Sequence, residues 1–494
     1  MNIKLFKKIS LLLLLVVSIS LFQNCSKDND DEIETDTEII LDEVKDFIWK
    51  SMNLVYLYKD QVPLLDEDRF GSMADYNNFL NNYSSPEALF NAVLYEPETV
   101  DRFSWMTDDY IELEQQLGGV FKTNGLEYFF YYEPNSDTDV VGVVSLVLHD
   151  SDAENNGVVR GQIFHAVDGI EMNVNNYYTL FGNDTYTLSF ADYNTNGTQT
   201  TSDDTIVPNN TSVTLTKQIG YVENPIYYYD IIEIDGNKIG YLAYNGFTAG
   251  YNEELNSIFG DFKSANVTNL VLDLRYNLGG RADVANYLAS MITGQFTGEV
   301  FSKLKWNETL SNNNSNTAFT NTLPNGGGSI NSLNLNKVYI IATGRSASAS
   351  EMMINNLRPY IEVVHVGTNT VGKTQASLTV YDSPGVFDKD GINPNHTYAL
   401  QPLIANFYNV NDGSVPPDGF TPNIELQERL SNFGTLGDPD ETLLAAAISD
   451  ILGTGRRTDM DSYFRQIESP LDKNQPDFGL ILDPKDIPVD FKLN

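Results

Sequence analysis

The sequence predicts an α/β protein: a layered core of alternating strands and helices, preceded by a β-rich module and a helical N-terminal region. Three observations predict it. From about residue 226, apolar runs of strand length alternate with segments of helical periodicity. Residues 111–217 instead carry short runs rich in β-branched and aromatic residues. Residues 41–105 place apolar side chains at helical spacing.

In the N-terminal region Val44, Phe47, Ile48, Met52, Val55 and Tyr56 form one helical face, ended by Pro63. Further helices are expected over 75–80 and 85–95, the second started by Ser85-Pro86. In the β-rich module, strands are expected at 128–132, 140–148, 161–167, 185–190 and 212–216. In the core, 231–242 reads as a hairpin turning on Asp235-Gly236. Helices follow at 253–262, 283–292 and 350–357, and strands at 267–274, 337–342 and 361–366. The Asn-, Ser- and Gly-rich stretch 306–336 reads as a surface insertion.

The first residues are a separate matter. Lys4, Lys7 and Lys8 precede an uncharged apolar run from Ile9 to Phe22, the length of a signal-peptide core and short for a membrane span. Cys25, the single cysteine, follows directly and excludes an intramolecular disulfide. A lone cysteine there resembles the lipid-modified residue of bacterial lipoproteins, although Asn24 replaces the small residue usual before it. Residues 26–40 are an acidic, solvated tether. The net charge of −38 argues against a nucleic-acid partner, because phosphate neutralisation needs a basic face.

Gly367-Thr-Asn-Thr-Val-Gly-Lys-Thr374 matches the phosphate-binding P-loop pattern. A P-loop must open a helix, whose N-terminus holds the phosphates. Here the continuation to Tyr381 is strand-like, so Lys373 is assigned to other chemistry and no nucleotide is expected. Gly344-Arg-Ser-Ala-Ser-Ala-Ser-Glu351 lies between a strand and a helix, where N–H groups and the helix dipole favour developing negative charge. A serine there needs a base. His149, His165, His365 and His396 are poorly placed by sequence, whereas a buried lysine whose pKa is lowered can serve. A Ser-x-x-Lys match at Ser302–Lys305 is the weaker rival, having no Lys-Thr-Gly after it. Asp273-Leu-Arg-Tyr-Asn-Leu-Gly-Gly280 ends a buried strand; its paired glycines let backbone N–H groups face an oxyanion, while Asp273 and Arg275 read as a structural ion pair.

These three pieces, with Lys373 25 residues beyond Ser348, resemble the C-terminal processing (tail-specific) serine peptidases. Asp101-Arg-Phe-Ser-Trp105, Gly419-Phe-Thr-Pro-Asn-Ile424 and Asp438-Pro-Asp-Glu-Thr-Leu443 extend the resemblance. Residues 152–169 resemble the PDZ module, with Leu117, Gly118, Gly119 and Val120 where a PDZ accepts a peptide carboxylate. The resemblance implies a crotonase-like (Clp protease-like) core over 226–453, a PDZ-like domain over 111–217, an N-terminal helical domain over 41–105 and a C-terminal extension over 454–494. Ser348 would be the nucleophile and Lys373 the general base. Ala349 with Gly279 or Gly280 would form the oxyanion hole. Many members carry a glutamine that orients the lysine; here Ser377 stands at that place and Gln375 two residues before, so either is a candidate. The expected function is an endopeptidase acting on polypeptides with accessible C-termini, without metal or cofactor. It would be exported and held in the bacterial envelope by lipid on Cys25. The rival from another class is a non-hydrolytic peptide-binding lipoprotein of the same fold.

Overall fold

The computed structural model describes residues 41–198, 201–455, 466–467 and 480–482. The segments read as a signal and an acidic tether, Cys25 and most of the expected C-terminal extension lie outside the described residues.

The central sheet starts with the hairpin of Ile226–Ile234 and Asn237–Tyr244. Asp235 and Gly236 both take positive φ (50° and 77°), as a two-residue turn between twisted strands requires. Asn269–Asp273, Lys337–Ala342, Glu362–Gly367 and Ile424–Glu425 then add in parallel. The middles of the longer strands are largely apolar because both faces are covered. Leu270, Leu272, Val338 and Ile340 pack against the helices Asn252–Ser264, Ala282–Thr293 and Ala349–Leu357. Val271, Tyr339, Ile341 and Val366 pack on the other face against the helix Thr442–Leu452. Strand alternation thus sorts neighbouring residues into two cores.

A second sheet had no single signature in the sequence. Its order is Gly280–Arg281, Leu480–Ile481, Gln375–Ser377, Leu403–Tyr408, Val300–Trp306 and Ser315–Ala318. The strands are short and come from distant parts of the chain, so no local period reveals them. The last strand belongs to the stretch read as a surface insertion. That reading holds only in part, because Phe319, Leu323 and Leu335 are buried in the main core.

The N-terminal helices Glu43–Val55, Met73–Asn81 and Pro86–Ala92 lie where the periodicity placed them. Asp42, Ser72 and Ser85 cap them with side-chain oxygens. Their apolar faces join the same hydrophobic core as the central sheet.

The β-rich module pairs Leu126–Tyr132, Val140–Val147, Ile163–Val167, Thr185–Asn194 and Thr205–Thr216 antiparallel. Val140–Val147 is buried along its whole length. Val140 and Val144 face the module's own core with Phe164, whereas Val141 and Val143 face Tyr276, Leu430 and Leu436 of the main body. Two elements went unread: the helix Tyr110–Leu117, capped by Asp109, and the ribbon of Val120–Thr123 with Gln218–Val222. Both are too short for a periodic signal.

Candidate active site

Three loops meet at the strand ends of the central sheet. The first follows Lys337–Ala342 and opens the helix Ala349–Leu357. Its three serines differ in what holds them. Ser346 Oγ donates to the Leu274 carbonyl at 2.7 Å, and Ser350 Oγ to the Asn277 carbonyl at 2.8 Å. Ser348 Oγ is buried, donates to no carbonyl among the described residues and faces only the Glu351 N–H of its own capping box. Ser348 also has φ 60° and ψ −110°, a conformation that side chains rarely adopt and that surrounding structure must enforce.

The enforcing group is Glu351, which sequence reasoning passed over. Its fully buried carboxylate accepts from Ser348 N–H at 2.9 Å, Lys373 N–H at 2.9 Å, Gly372 N–H at 2.7 Å and Thr370 Oγ1 at 2.6 Å. The first two bonds end on the same oxygen, Oε2, so one atom ties the serine loop to the lysine loop. Burial pushes the Glu351 pKa up, against these donors. The available signal was a glutamate three residues beyond a serine N-cap.

The second loop runs from Gly367 to the strand Gln375–Ser377 and opens no helix, as its sequence indicated. Lys373 is 2 % exposed. Its Nζ lies 4.9 Å from the centre of the Phe103 ring. Burial pushes the amine down to about 7, against the opposing charges of Asp101 and Glu351. The N-terminal region builds this surrounding. Asp101 Oδ1 accepts from Phe103 N–H and Ser104 N–H, and Oδ2 accepts from Tyr56 Oη. Arg102 donates to the carbonyls of Gly372 and Pro417, at 2.9 and 3.0 Å, and so clamps the lysine loop. Of the two candidates for orienting the lysine, Gln375 gives Nε2 to Tyr58 Oη at 3.2 Å, and Ser377 gives its carbonyl to Leu482 N–H at 3.3 Å.

The third loop carries the glycines. A Cβ on Gly279 would stand 2.8 Å from Ser348 Cβ, and one on Gly280 would stand 2.7 Å from the Phe247 carbonyl oxygen. With φ of 119° and 120°, both positions require glycine. Gly279 spends its N–H on Asn277 Oδ1 at 2.9 Å. Leu117 lies beside this loop and shares a small cavity with Gly279, Gly280 and Ile481. Gly118 and Gly119 give their N–H groups to Glu114, Gln115 and Gln116 carbonyls at the end of their own helix, and Val120 pairs with Val222.

Beneath the site sits a buried charge cluster. Arg275 binds Asp273, Glu428 and Glu441, and Arg160 of the β-rich module also binds Glu428. Burial works against the Glu441 charge, but Arg275 outweighs it and lowers the carboxyl to about 2. Asp273 and Arg275 are therefore structural, as their sequence context implied. The Ser302–Lys305 match dissolves: Ser302 is buried in a strand, while Lys305 is exposed and paired with Asp412 at 2.8 Å.

The chain matches the model for peptidase family S41 over residues 238–426 and that for the peptidase S41 N-terminal domain over 43–105. A search of curated proteins finds no match. Among solved structures, a protein from Bacteroides fragilis assigned as an S41 protease is 27% identical, with a TM-score of 0.66, covering 83% of this chain and 97% of that one. A photosystem II D1 C-terminal processing protease is 16% identical, with a TM-score of 0.44, covering 82% of this chain and all of that one, a likeness too loose to argue from. The two matched segments contain the Arg102 clamp, Gly279-Gly280, Ser348 and Lys373, and the chain belongs to peptidase family S41, the C-terminal processing peptidases.

Proposed function

We propose that the chain is a serine endopeptidase with a Ser348–Lys373 dyad on a crotonase-like (Clp protease-like) core. The observation that carries this reading is the contrast within Ser-Ala-Ser-Ala-Ser: the middle hydroxyl alone is bound to no carbonyl, on a strained backbone joined through Glu351 to a buried lysine. A neutral Lys373 amine takes the Ser348 proton as Oγ attacks the scissile carbonyl carbon. The resulting oxyanion is held by Ala349 N–H, at the helix start, and by Gly280 N–H, since Gly279 is engaged with Asn277. Collapse expels the amine product, which receives the proton from the Lys373 ammonium. Water, deprotonated by the same lysine, then releases the acyl group.

The β-rich module would act as a PDZ-like domain that offers a sheet edge to the substrate's C-terminal tail. Export and a lipid on Cys25 would place the enzyme in the envelope, with its catalytic domain outside the cytoplasm. Degradation of a fluorescent unfolded protein checks the chemistry. Ser348→Ala and Lys373→Ala should each lose at least about 10³-fold in kcat/KM, while Ser346→Ala and Ser350→Ala keep most activity. An active Ser348→Ala would refute the dyad. Detergent-phase partitioning that Cys25→Ala abolishes checks the anchor; wild type in the aqueous phase would refute it.

A further inference from the structure

We propose that the strands Gln466–Ile467 and Leu480–Ile481 of this chain's own C-terminal region are a pseudo-substrate, filling in cis two strand edges meant for an extended polypeptide. This rests on the peptidase reading for the Leu480–Ile481 edge only.

Leu480–Ile481 runs parallel to Gly280–Arg281 on one side and to Ala376–Ser377 on the other. One wall of this slot starts directly after Gly279, and the other two residues after Lys373. Whatever fills it passes between the glycines and the lysine loop. Phe247 takes the Gly279 carbonyl and the Arg281 N–H, both at 2.8 Å. By strand alternation the N–H of Gly280 therefore faces the slot. Leu482 donates its N–H to the Ser377 carbonyl and is buried, while Ile481 lines the cavity with Leu117, Phe121 and Phe247. The slot thus reads main chain on both sides and apolar side chains at successive positions. Its ligand class is an extended, apolar polypeptide segment.

The other edge is on the β-rich module. Gln466 and Ile467 pair antiparallel with Tyr131 and Phe130, adding an outer strand to the module's sheet. They line a cavity of about 350 Å³ whose far wall, Thr343–Arg345, leads into the serine loop. Among the described residues each added strand is two residues long. Such short described ladders leave both edges open to displacement by a longer substrate strand. The result is an enzyme whose resting slot is occupied and whose activity waits on competition.

Ile481→Pro/Leu482→Pro in the full chain removes the N–H groups facing both walls. Fluorescein-labelled casein is then cleaved with kcat/KM raised about tenfold, even though Tm falls as Leu482 leaves the core. Binding separates this inference from the chemistry. In the Ser348→Ala background, a fluorescein-labelled peptide of residues 477–484 binds the double-proline variant at least tenfold more tightly than the intact chain. Equal affinity for both overturns the inference, whatever the hydrolysis shows. Tighter binding by the variant with no cleavage by any Ser348-containing form leaves the inference standing and overturns the peptidase reading.

Discussion

Four donors converge on Glu351, and two of them belong to the backbones of Ser348 and Lys373, the proposed nucleophile and base. Glu351→Gln keeps the size but turns an amide N–H₂ toward N–H donors. It should cost roughly 3 kcal/mol of stability by leaving buried donors unmatched, and lower kcat more than it raises KM, as steady-state kinetics and denaturant titration will show. Lys373 gives a second residue-scale test. Its folded pKa of about 7 lies below the ordinary lysine value of 10.5, so above pH 7 the unfolded chain binds the extra proton. Stability therefore rises as pH climbs from about 7 to 10.5, and the burial penalty is full at and below pH 7. Lys373→Met should raise Tm most at pH 6 and little at pH 10; a gain independent of pH would contradict the buried, titrating amine. The Ser348–Lys373 pair was proposed from the family resemblance of their motifs, 25 residues apart. The reason for choosing the middle serine was not legible, because it depends on the carbonyls of Leu274 and Asn277, distant in sequence from the serines they hold.

At the scale of elements, most helices and central strands were legible because each carries its own period and caps, as Ser85-Pro86 and Asp235-Gly236 illustrate, whereas Tyr110–Leu117 and Thr442–Leu452 were not read. The second sheet was not, since Gly280–Arg281 and Gln375–Ser377 become strands only through tertiary pairing. The glycine loop shows how closely these elements approach. Gly279→Ala adds a Cβ that meets Ser348 Cβ at 2.8 Å, at a φ of 119°. It should destabilise by about 1–3 kcal/mol and slow acylation at least about tenfold by displacing the nucleophile; wild-type acylation in a folded Gly279→Ala protein would show that the loop tolerates the contact. Arg102 links a further element to the chemistry: its clamp on Gly372 explains why the sequence pairs an N-terminal helical region with this core.

Across the whole molecule, Arg275 and Arg160 join the central sheet, the C-terminal helix start and the β-rich module through Glu428 and Glu441. The sequence showed the Asp273–Arg275 half only; the other carboxylates lie over 150 residues away and carry no local mark. Glu441 is lowered from 4.5 to about 2, so its contribution, roughly 3 kcal/mol, is present above pH 4.5 and lost as pH falls toward 2. Glu441→Gln should therefore lower stability near neutrality and flatten acid unfolding between pH 4.5 and 2. An unchanged acid limb would remove Glu441 from the account.

The central claim is that a neutral, buried Lys373 activates Ser348, and the rate of Ser348 labelling by a fluorophosphonate across pH 5–10 tests it most directly. The account predicts a rate that rises through a single midpoint near 7, set by burial of the amine, and collapses at every pH in Lys373→Met and Lys373→Arg. A rate independent of pH, a midpoint near 10, or wild-type labelling of Lys373→Arg would contradict it.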